Sequence, residues 1–402
     1  MHPASYRDTW AEISLDSIEH NARTFKKNLQ RGCKLMAVVK ADGYGHGAYE
    51  TACAALRAGA EYLAVALLDE ALELRAAGIT EPVLVLGYTP PRSVKKAVCA
   101  GVTLTVFTTD VLEAVETAAA VSSRTPARIH LKVDTGMTRI GVRTAEEALS
   151  FAHRAIQTPG VALEGIFTHF ATADSADDTF TREQFRRFMN IVDHLSDNGI
   201  DIPLRHCCNS AATMQYPDMH LDMVRVGISL YGLLPSVASE RDTHPLKPAM
   251  QFKTRLVQVK DVEVGTPVSY SSTFIAERPT RIGTIPAGYA DGLSRSLSNR
   301  GDMLLHGRRV RIAGRVCMDQ TMLDITDVEN TEEGDPVTIF GKSGDAFLHV
   351  DEIAELMDTI NYEVVCLIGK RVPRVYLHKG KPAASASVNH LIGEIPAQDS
   401  PS

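Results

Sequence analysis

Leu35-Met36-Ala37-Val38-Val39-Lys40-Ala41-Asp42-Gly43-Tyr44-Gly45-His46-Gly47 opens on an apolar run and closes on three glycines in five positions. The run reads as a buried strand that ends on a lysine. Burial favours the neutral amine of a lysine, the form that makes Schiff bases. Glycines in the loop let backbone approach a ligand closely. The competing reading is a lysine whose apolar stem is buried and whose head reaches water. The glycine loop tips the balance toward chemistry.

The same strand-then-loop unit recurs along the chain. Strand candidates follow at Tyr62 to Ala66, Val83 to Leu86, Leu104 to Phe107, Ile129 to Val133, Leu163 to Phe167, Leu204 to Cys207 and Met223 to Val226. Helical periodicity fills the gaps, at Ala48 to Ala58, Asp69 to Ala77, Ser93 to Ala100, Asp110 to Ala120, Ala145 to Gln157 and Thr181 to Asp197. Gly59, Gly78, Gly101 and Gly199 stand just past helix ends as stop signals. Only a short helix, near Ala211 to Gln215, crosses between the last two strands. Upstream, Trp10 to Ile13 reads as a strand, and Asp16 with Glu19 as the capping box of a helix. Eight strands, each followed by a crossing segment, indicate a (β/α)8 TIM-type barrel over an open doubly wound sheet.

After Pro235 the texture changes. Thr243 to Pro248 looks like a linker. Short strands with turn signals follow at Leu256 to Val259, Arg281 to Pro286, Met303 to Leu305, Val310 to Ile312, Met322 to Ile325 and Pro336 to Phe340. One helix, Val350 to Met357, interrupts them. The expected organisation is a barrel over residues 1–242, a mostly β C-terminal domain over 243–378 and a mobile tail over 379–402. Residues 1–13 are candidates to pair with the second domain.

Composition excludes several classes. A net charge of -7 leaves no footprint for nucleic acid or an acidic membrane surface. No run reaches the length of a membrane span, and the N-terminus lacks the apolar core of a signal peptide. Seven scattered cysteines without CxxC spacing argue against a disulfide framework or a zinc site and for a reducing compartment, by default the cytoplasm. No metal site is expected.

A barrel of this kind carries its active site at the C-terminal ends of its strands, with a phosphate often bound after strands seven and eight. The unusual residues fall there. Lys40 ends the first strand, Lys132 and Asp134 the fifth, with Arg139 close behind, and His169 the sixth. Asn209 and Ser210 follow the seventh; Arg225, Gly227 and Ile228 close the eighth. Each has a bland alternative: a surface ion pair, a core histidine, a helix cap. Agreement at five strand ends outweighs them together. A Schiff-base lysine beside a phosphate cradle is the pattern for pyridoxal phosphate; an aldolase-type barrel without a cofactor is the runner-up.

The chain resembles the alanine racemase family over nearly its whole length. The matching stretches are Val38 to Gly47, Lys132 to Gly141, Thr168 to Ala171, Asn209 to Ala211 and Val224 to Ile228 in the first domain. In the second they are Gly288 to Gly292, Gly314 to Gln320 and Thr359 to Glu363. The resemblance implies a pyridoxal 5'-phosphate enzyme acting as a head-to-tail homodimer with shared active sites. It implies Lys40 as Schiff-base lysine and acid/base on one face of the substrate, and Tyr289 of the second chain on the other. It further implies His169 and Arg225 as the chain tuning Tyr289. Tyr44, Ser210, Gly227, Ile228 and Tyr362 would hold the phosphate, and Arg139 with the Met318 backbone the substrate carboxylate. Cys317 and Asp319 flank Met318, and Lys132 is a site of carbamylation in the family. Alanine is the expected substrate, with serine as a slower one, and D-alanine would feed cell-wall synthesis. Ser271 and Thr138 stand where the family usually has glycine. A decarboxylase of the same architecture is the nearest rival, and Arg225 argues against it, since an arginine disfavours a proton on the pyridine nitrogen. A cofactor carrier built on the barrel alone has no use for the second domain.

Overall fold

The computed structural model describes residues 6–121, 126–235 and 245–383. It divides into two compact units, one over Leu15–Pro248, the other joining the N-terminal strand to the chain from Ala249 onward. The boundary expected at 242/243 lies outside the described residues. The chain belongs to the first unit as far as Pro248 because Asn21 holds both backbone groups of Lys247, accepting from its N–H at 2.8 Å and donating to its carbonyl at 2.9 Å.

The N-terminal strand β1 (Thr9–Ser14) belongs to the second unit, and the barrel unit begins directly after it with the helix Leu15–Asn28. The helix begins one residue before Asp16, and Glu19 carries ion pairs to Arg23 and Arg57 across the helix surface. Eight parallel strands follow: β2 (Lys34–Val38), β3 (Tyr62–Val65), β4 (Val83–Val85), β5 (Thr103–Val106), β6 (Ala127–Lys132), β7 (Val161–Phe167), β8 (Leu204–His206) and β9 (Met223–Val226). Their order in the sheet is β8-β7-β6-β5-β4-β3-β2-β9. β3, β4, β5 and β9 are buried along their whole length, and in β3 and β4 this reads as an unbroken apolar run, since helices cover one face and packed side chains fill the other. The barrel nearly closes between β8 and β9, where the Asp222 N–H reaches the Arg205 carbonyl at 3.1 Å and Arg225 N–H the Cys208 carbonyl at 3.0 Å. The expected eight-stranded barrel is therefore the fold of this unit.

The second unit is mostly β. Its strands are β10 (Met250–Arg255), β11 (Gln258–Val262), β12 (Pro267–Val268), β13 (Phe274–Ile275), β14 (Thr280–Ile285), β15 (Asp302–Leu305), β16 (Arg308–Ile312), β17 (Thr321–Asp324), β18 (Pro336–Ser343), β19 (Ala346–Leu348), β20 (Arg374–His378) and β21 (Lys381–Pro382). The large sheet runs β11-β14-β17-β16-β15-β18-β10-β1-β20-β21, with β12 and β13 apart as a hairpin. β1 lies antiparallel to β10 and parallel to β20. Leu256 and Val257, expected within a strand, instead connect β10 to β11. β10 is an unanticipated strand whose burial alternates residue by residue, so that Met250, Phe252 and Thr254 face the core. Residues 379–383, expected to belong to the tail, are ordered into the sheet: Lys379 and Gly380 turn left-handed and β21 pairs back on β20. Residues 384–402 lie outside the described residues. Among those described, no helix is long and apolar enough to cross a membrane.

Candidate active site

The Lys40 segment is a left-handed turn. Ala41, Asp42, Gly43 and Tyr44 have φ of 53°, 51°, 61° and 52° in succession. For residues with a Cβ this conformation costs roughly 1–2 kcal/mol each, so neighbours must hold it. Glu70 does so from the start of the helix Leu68–Ala76: its carboxylate accepts from the Ala41 N–H at 2.6 Å and from Ala66 and Leu67 N–H at 2.7 and 3.0 Å. Asp42 accepts from the Ala48 N–H at 3.0 Å and anchors the far end. Beneath the turn, the buried Tyr231 donates to the Val38 carbonyl at 3.0 Å and packs on Tyr44, ring centres 5.0 Å apart. The turn carries Lys40 at the end of β2, with its Nζ 5.8 Å from the Tyr44 ring centre.

Across the rim, β8 and β9 build a cradle. Asn209 caps the helix Ser210–Gln215 by accepting from the Ala212 N–H at 3.0 Å. Ser210 Oγ accepts from the Gly227 N–H at 2.9 Å. A Cβ at Gly227 would lie 2.6 Å from the Tyr44 hydroxyl, so only glycine lets the tyrosine come this near the backbone. Ile228 is buried behind it. Tyr44, Ser210, Gly227 and Ile228 thus converge.

Between these two groups lie the cations. Arg225 is buried, and burial brings its guanidinium down to about 10. Its donors go to the Thr168 and Cys207 carbonyls at 2.8 and 3.0 Å, to His206 Nδ1 at 2.9 Å and to His169 Nδ1 at 3.2 Å. None of these partners is charged. His169 is held well below the usual histidine range, first by desolvation and then by Arg225, Arg139, Lys132 and Lys40; an edge of the residue stays accessible. Lys132 is brought down to about 7 by burial and by Arg225, and its Nζ donates to the Val133 carbonyl at 2.6 Å. Arg139 is exposed on the loop after β6 and makes no side-chain hydrogen bond among the described residues. Thr138 beside it has φ 55°, stabilised by Asp134 accepting from its N–H at 2.9 Å.

In the β unit, Tyr289 begins a short turn, Tyr289–Asp291, that is zipped to the 317–318 loop. The Tyr289 and Ala290 N–H groups donate to the Cys317 and Met318 carbonyls, both at 3.0 Å. The turn is anchored from inside by the fully buried Asp291, which binds Arg7 at 2.6 Å and Arg371 at 2.8 Å and accepts from the Gly288 N–H at 3.0 Å. Arg371 also reaches Asp319 at 2.7 Å. Tyr289 and Met318 are held outward on this support, 42% and 53% exposed, the more notable for large apolar side chains. The Met318 N–H has no acceptor among the described residues. Tyr362 lies on the helix Asn361–Cys366, which is fixed by Asn361 donating to Asp351 at 2.7 Å.

The motifs point to these residues but not to their supports. Glu70 looks like any acid in a first helical turn, and Asp291 like the loop residue of a Gly-Tyr-Ala-Asp-Gly turn. His130 and His206, buried polar residues inside barrel strands, stand outside all of the matching motifs.

The family models for the alanine racemase N-terminal and C-terminal domains match residues 13–235 and 249–376. Alanine racemase 2 of Oceanobacillus iheyensis is 55% identical over 381 residues, covering 95% of this chain and 96% of that protein. Alanine racemase 2 of Bacillus subtilis is 44% identical over 378 residues, covering 93% and 96%. The crystal structure of alanine racemase from Bacillus anthracis with bound L-Ala-P superposes with a TM-score of 0.89 at 40% identity, covering 94% of this chain and 97% of that one.

Proposed function

The chain belongs to the alanine racemase family and interconverts L- and D-alanine, and from that premise we propose that it holds pyridoxal 5'-phosphate and works as a head-to-tail homodimer. The barrel's donor set fits the cofactor. Lys40 supplies a primary amine, and the Tyr44 hydroxyl, the Ser210 hydroxyl and the backbone at Gly227 and Ile228 form a cradle too tight for a side chain at position 227. Asn209 places Ser210 through its cap, and Tyr362 adds a hydroxyl. Bound there, the cofactor would draw negative charge from the substrate α-carbon into its ring and make the α-proton removable.

Racemisation needs one acid/base on each face of that carbon. Lys40 serves one face, and Tyr289 of the partner subunit the other. A free tyrosine titrates near pH ~10, so the phenolate needs support. His169 provides it: Arg225 can only donate, so His169 Nδ1 accepts and its proton sits on Nε2. A hydrogen bond from that N–H to the phenolate lowers the tyrosine's pKa. Arg139, with its guanidinium unengaged, takes the substrate carboxylate together with the Met318 N–H of the partner. Lys132, neutral to a large extent near pH 7, adds carbon dioxide, forming an N–C bond and releasing a proton. The resulting carbamate anion orients Arg139. Cys317 and Asp319 serve as the frame of Met318. The enzyme would act in the cytoplasm as a source of D-alanine for cell-wall synthesis.

The observation that carries this reading is the burial of Arg225 among uncharged partners. A carboxylate there would keep the ring nitrogen protonated, which suits a decarboxylase; a cation opposes that proton. Two substitutions test the division of labour. Lys40→Ala should abolish both the cofactor's absorbance band and racemisation. Tyr289→Phe should keep the band and lose racemisation in both directions, because the two directions cross the same barriers and each needs both bases; unchanged turnover overturns the two-base account. Mixed dimers of the two variants should regain activity, because one of their two sites contains both intact bases.

A further inference from the structure

Below the rim, the barrel interior holds a polar chain that the reading above does not use. Arg225 donates to His206 Nδ1 at 2.9 Å, and His206 Nε2 meets His130 Nδ1 at 2.9 Å. His130 Nε2 meets Glu164 Oε2 at 3.4 Å. The Tyr62 hydroxyl donates to that same oxygen at 2.8 Å and meets Thr103 Oγ1 at 2.9 Å. Both histidines are completely buried, and desolvation above all keeps both below the usual histidine range, so each is neutral near pH 7.

The backbone is built around this chain. Ile129 pairs with Leu163 and His130 with Gly165, so Glu164 is the extra residue of a β-bulge between β6 and β7. A bulge re-aims a side chain, and here the carboxylate meets His130 and Tyr62. A Cβ at Gly165 would sit 2.6 Å from the His130 ring, so glycine makes the space that the imidazole fills. Phe167 stacks flat on His206, centres 4.7 Å apart and planes 4° from parallel.

Proton positions follow from the two ends. A guanidinium only donates and a carboxylate only accepts. His206 Nδ1 therefore carries a lone pair and its Nε2 a proton; His130 likewise accepts at Nδ1 and donates from Nε2. Each link points the same way, from Arg225 to Glu164. With the chain reversed, an N–H of His206 would face an N–H of Arg225, and a buried cation would lose one of its few acceptors.

We infer that Glu164 is a positioning residue for the racemase: by accepting from His130 across the bulge it fixes both imidazole tautomers, so that His206 presents a lone pair that holds Arg225 in place. This rests on the reading of Arg225 as the cation facing the cofactor ring.

The test uses the holoenzyme labelled with 15N-histidine, whose ring nitrogens report tautomers directly. In the native enzyme His130 and His206 should both show the Nε2–H form; an Nδ1–H signal from His206 overturns the assignment before any variant is made. Glu164→Gln keeps the shape but can donate to His130, so it should mix or reverse the tautomers and lower kcat about tenfold at nearly constant KM, the scale seen when the group orienting an imidazole is lost. Glu164→Asp, still acceptor-only, should retain the Nε2–H pattern and most of kcat, whereas a space-filling role predicts that it does no better than Glu164→Gln. Unchanged tautomers in Glu164→Gln overturn the proposal, and so do changed tautomers at unchanged kcat. Arg225→Lys tells the two readings apart: if it too leaves kcat intact, the failure lies with the role of Arg225; if it does not, with that of Glu164.

Discussion

The two proposed bases are mounted differently. Lys40 rides on a left-handed turn whose strain is opposed by hydrogen bonds that carboxylates, chiefly that of Glu70, accept from backbone N–H groups. Tyr289 rides on an ordinary turn whose support is ionic, a fully buried Asp291 between Arg7 and Arg371. The first mounting stores conformational cost to aim a side chain. The second concentrates charge, so its stability depends on complete pairing.

Removing the ionic support should have the larger effect. Asp291→Ala leaves two guanidinium groups without their carboxylate and should cost about 2–4 kcal/mol in urea denaturation, below the fully buried range because both arginines reach solvent. Racemase activity should fall with it as the Tyr289 turn loosens. Glu70→Ala removes three acceptor contacts from one partly exposed carboxylate and should cost about 1–2 kcal/mol. Its signature is a kcat decrease with cofactor still bound, since a small misplacement of Lys40 is costly to the chemistry. If Glu70→Ala proves the more destabilising, the contrast between the mountings is wrong.

Acid should separate the units by the same logic. His130, His169 and His206 have folded pKa values depressed chiefly by burial. The folded barrel then binds fewer protons than the unfolded chain, and stability is lost as pH falls from about 6.5 toward the depressed values, by at most about 1.4 kcal/mol per pH unit for each histidine. Asp291 is desolvated, yet hydrogen bonds from Arg7 and Arg371 outweigh that and depress its pKa. Its contribution is present above about pH 3.9 and is lost only below that. Hydrogen exchange near pH 5 should show the barrel opening while the β unit stays protected; the opposite order refutes the assignment.

The smallest effect concerns two residues with positive φ. Thr138 at 55° and Ser271 at 61° hold left-handed backbone, a conformation that glycine adopts without steric cost. Thr138→Gly should stabilise by up to about 1 kcal/mol, and Ser271→Gly by less, because a β-branched residue resists this conformation more. Thermal melts of the two variants check the ranking.

What the sequence disclosed depended on how far apart the partners lie. Barrel strands such as Tyr62–Val65 and Val83–Val85 are buried on both faces and announce themselves as apolar runs. β10 hides because half of Met-Gln-Phe-Lys-Thr-Arg faces away from the core, which reads as loop unless its partners are known. Lys40, Arg225 and Tyr289 stand in motifs with their own chemistry. Glu70, Glu164 and Asp291 act on residues distant in sequence, on occasion through a bulge that no local pattern encodes. Glu19, expected to cap its helix, is drawn to Arg57 instead. Chemistry was legible, and its scaffolding was not.

The placement of β1 has a consequence for synthesis. This strand precedes every other described strand in the chain, yet its sheet partners are β10 and β20, the latter ending at His378. Residues 15–248 can complete their parallel strands while β1 waits with its edges unpaired. A chain stopped before Arg374 would carry β1 with one partner missing, and an N-terminal deletion through Ser14, though it removes no barrel strand, would part β10 from β20. Quality control acting on exposed edges would therefore read, through β1, whether β20 has arrived.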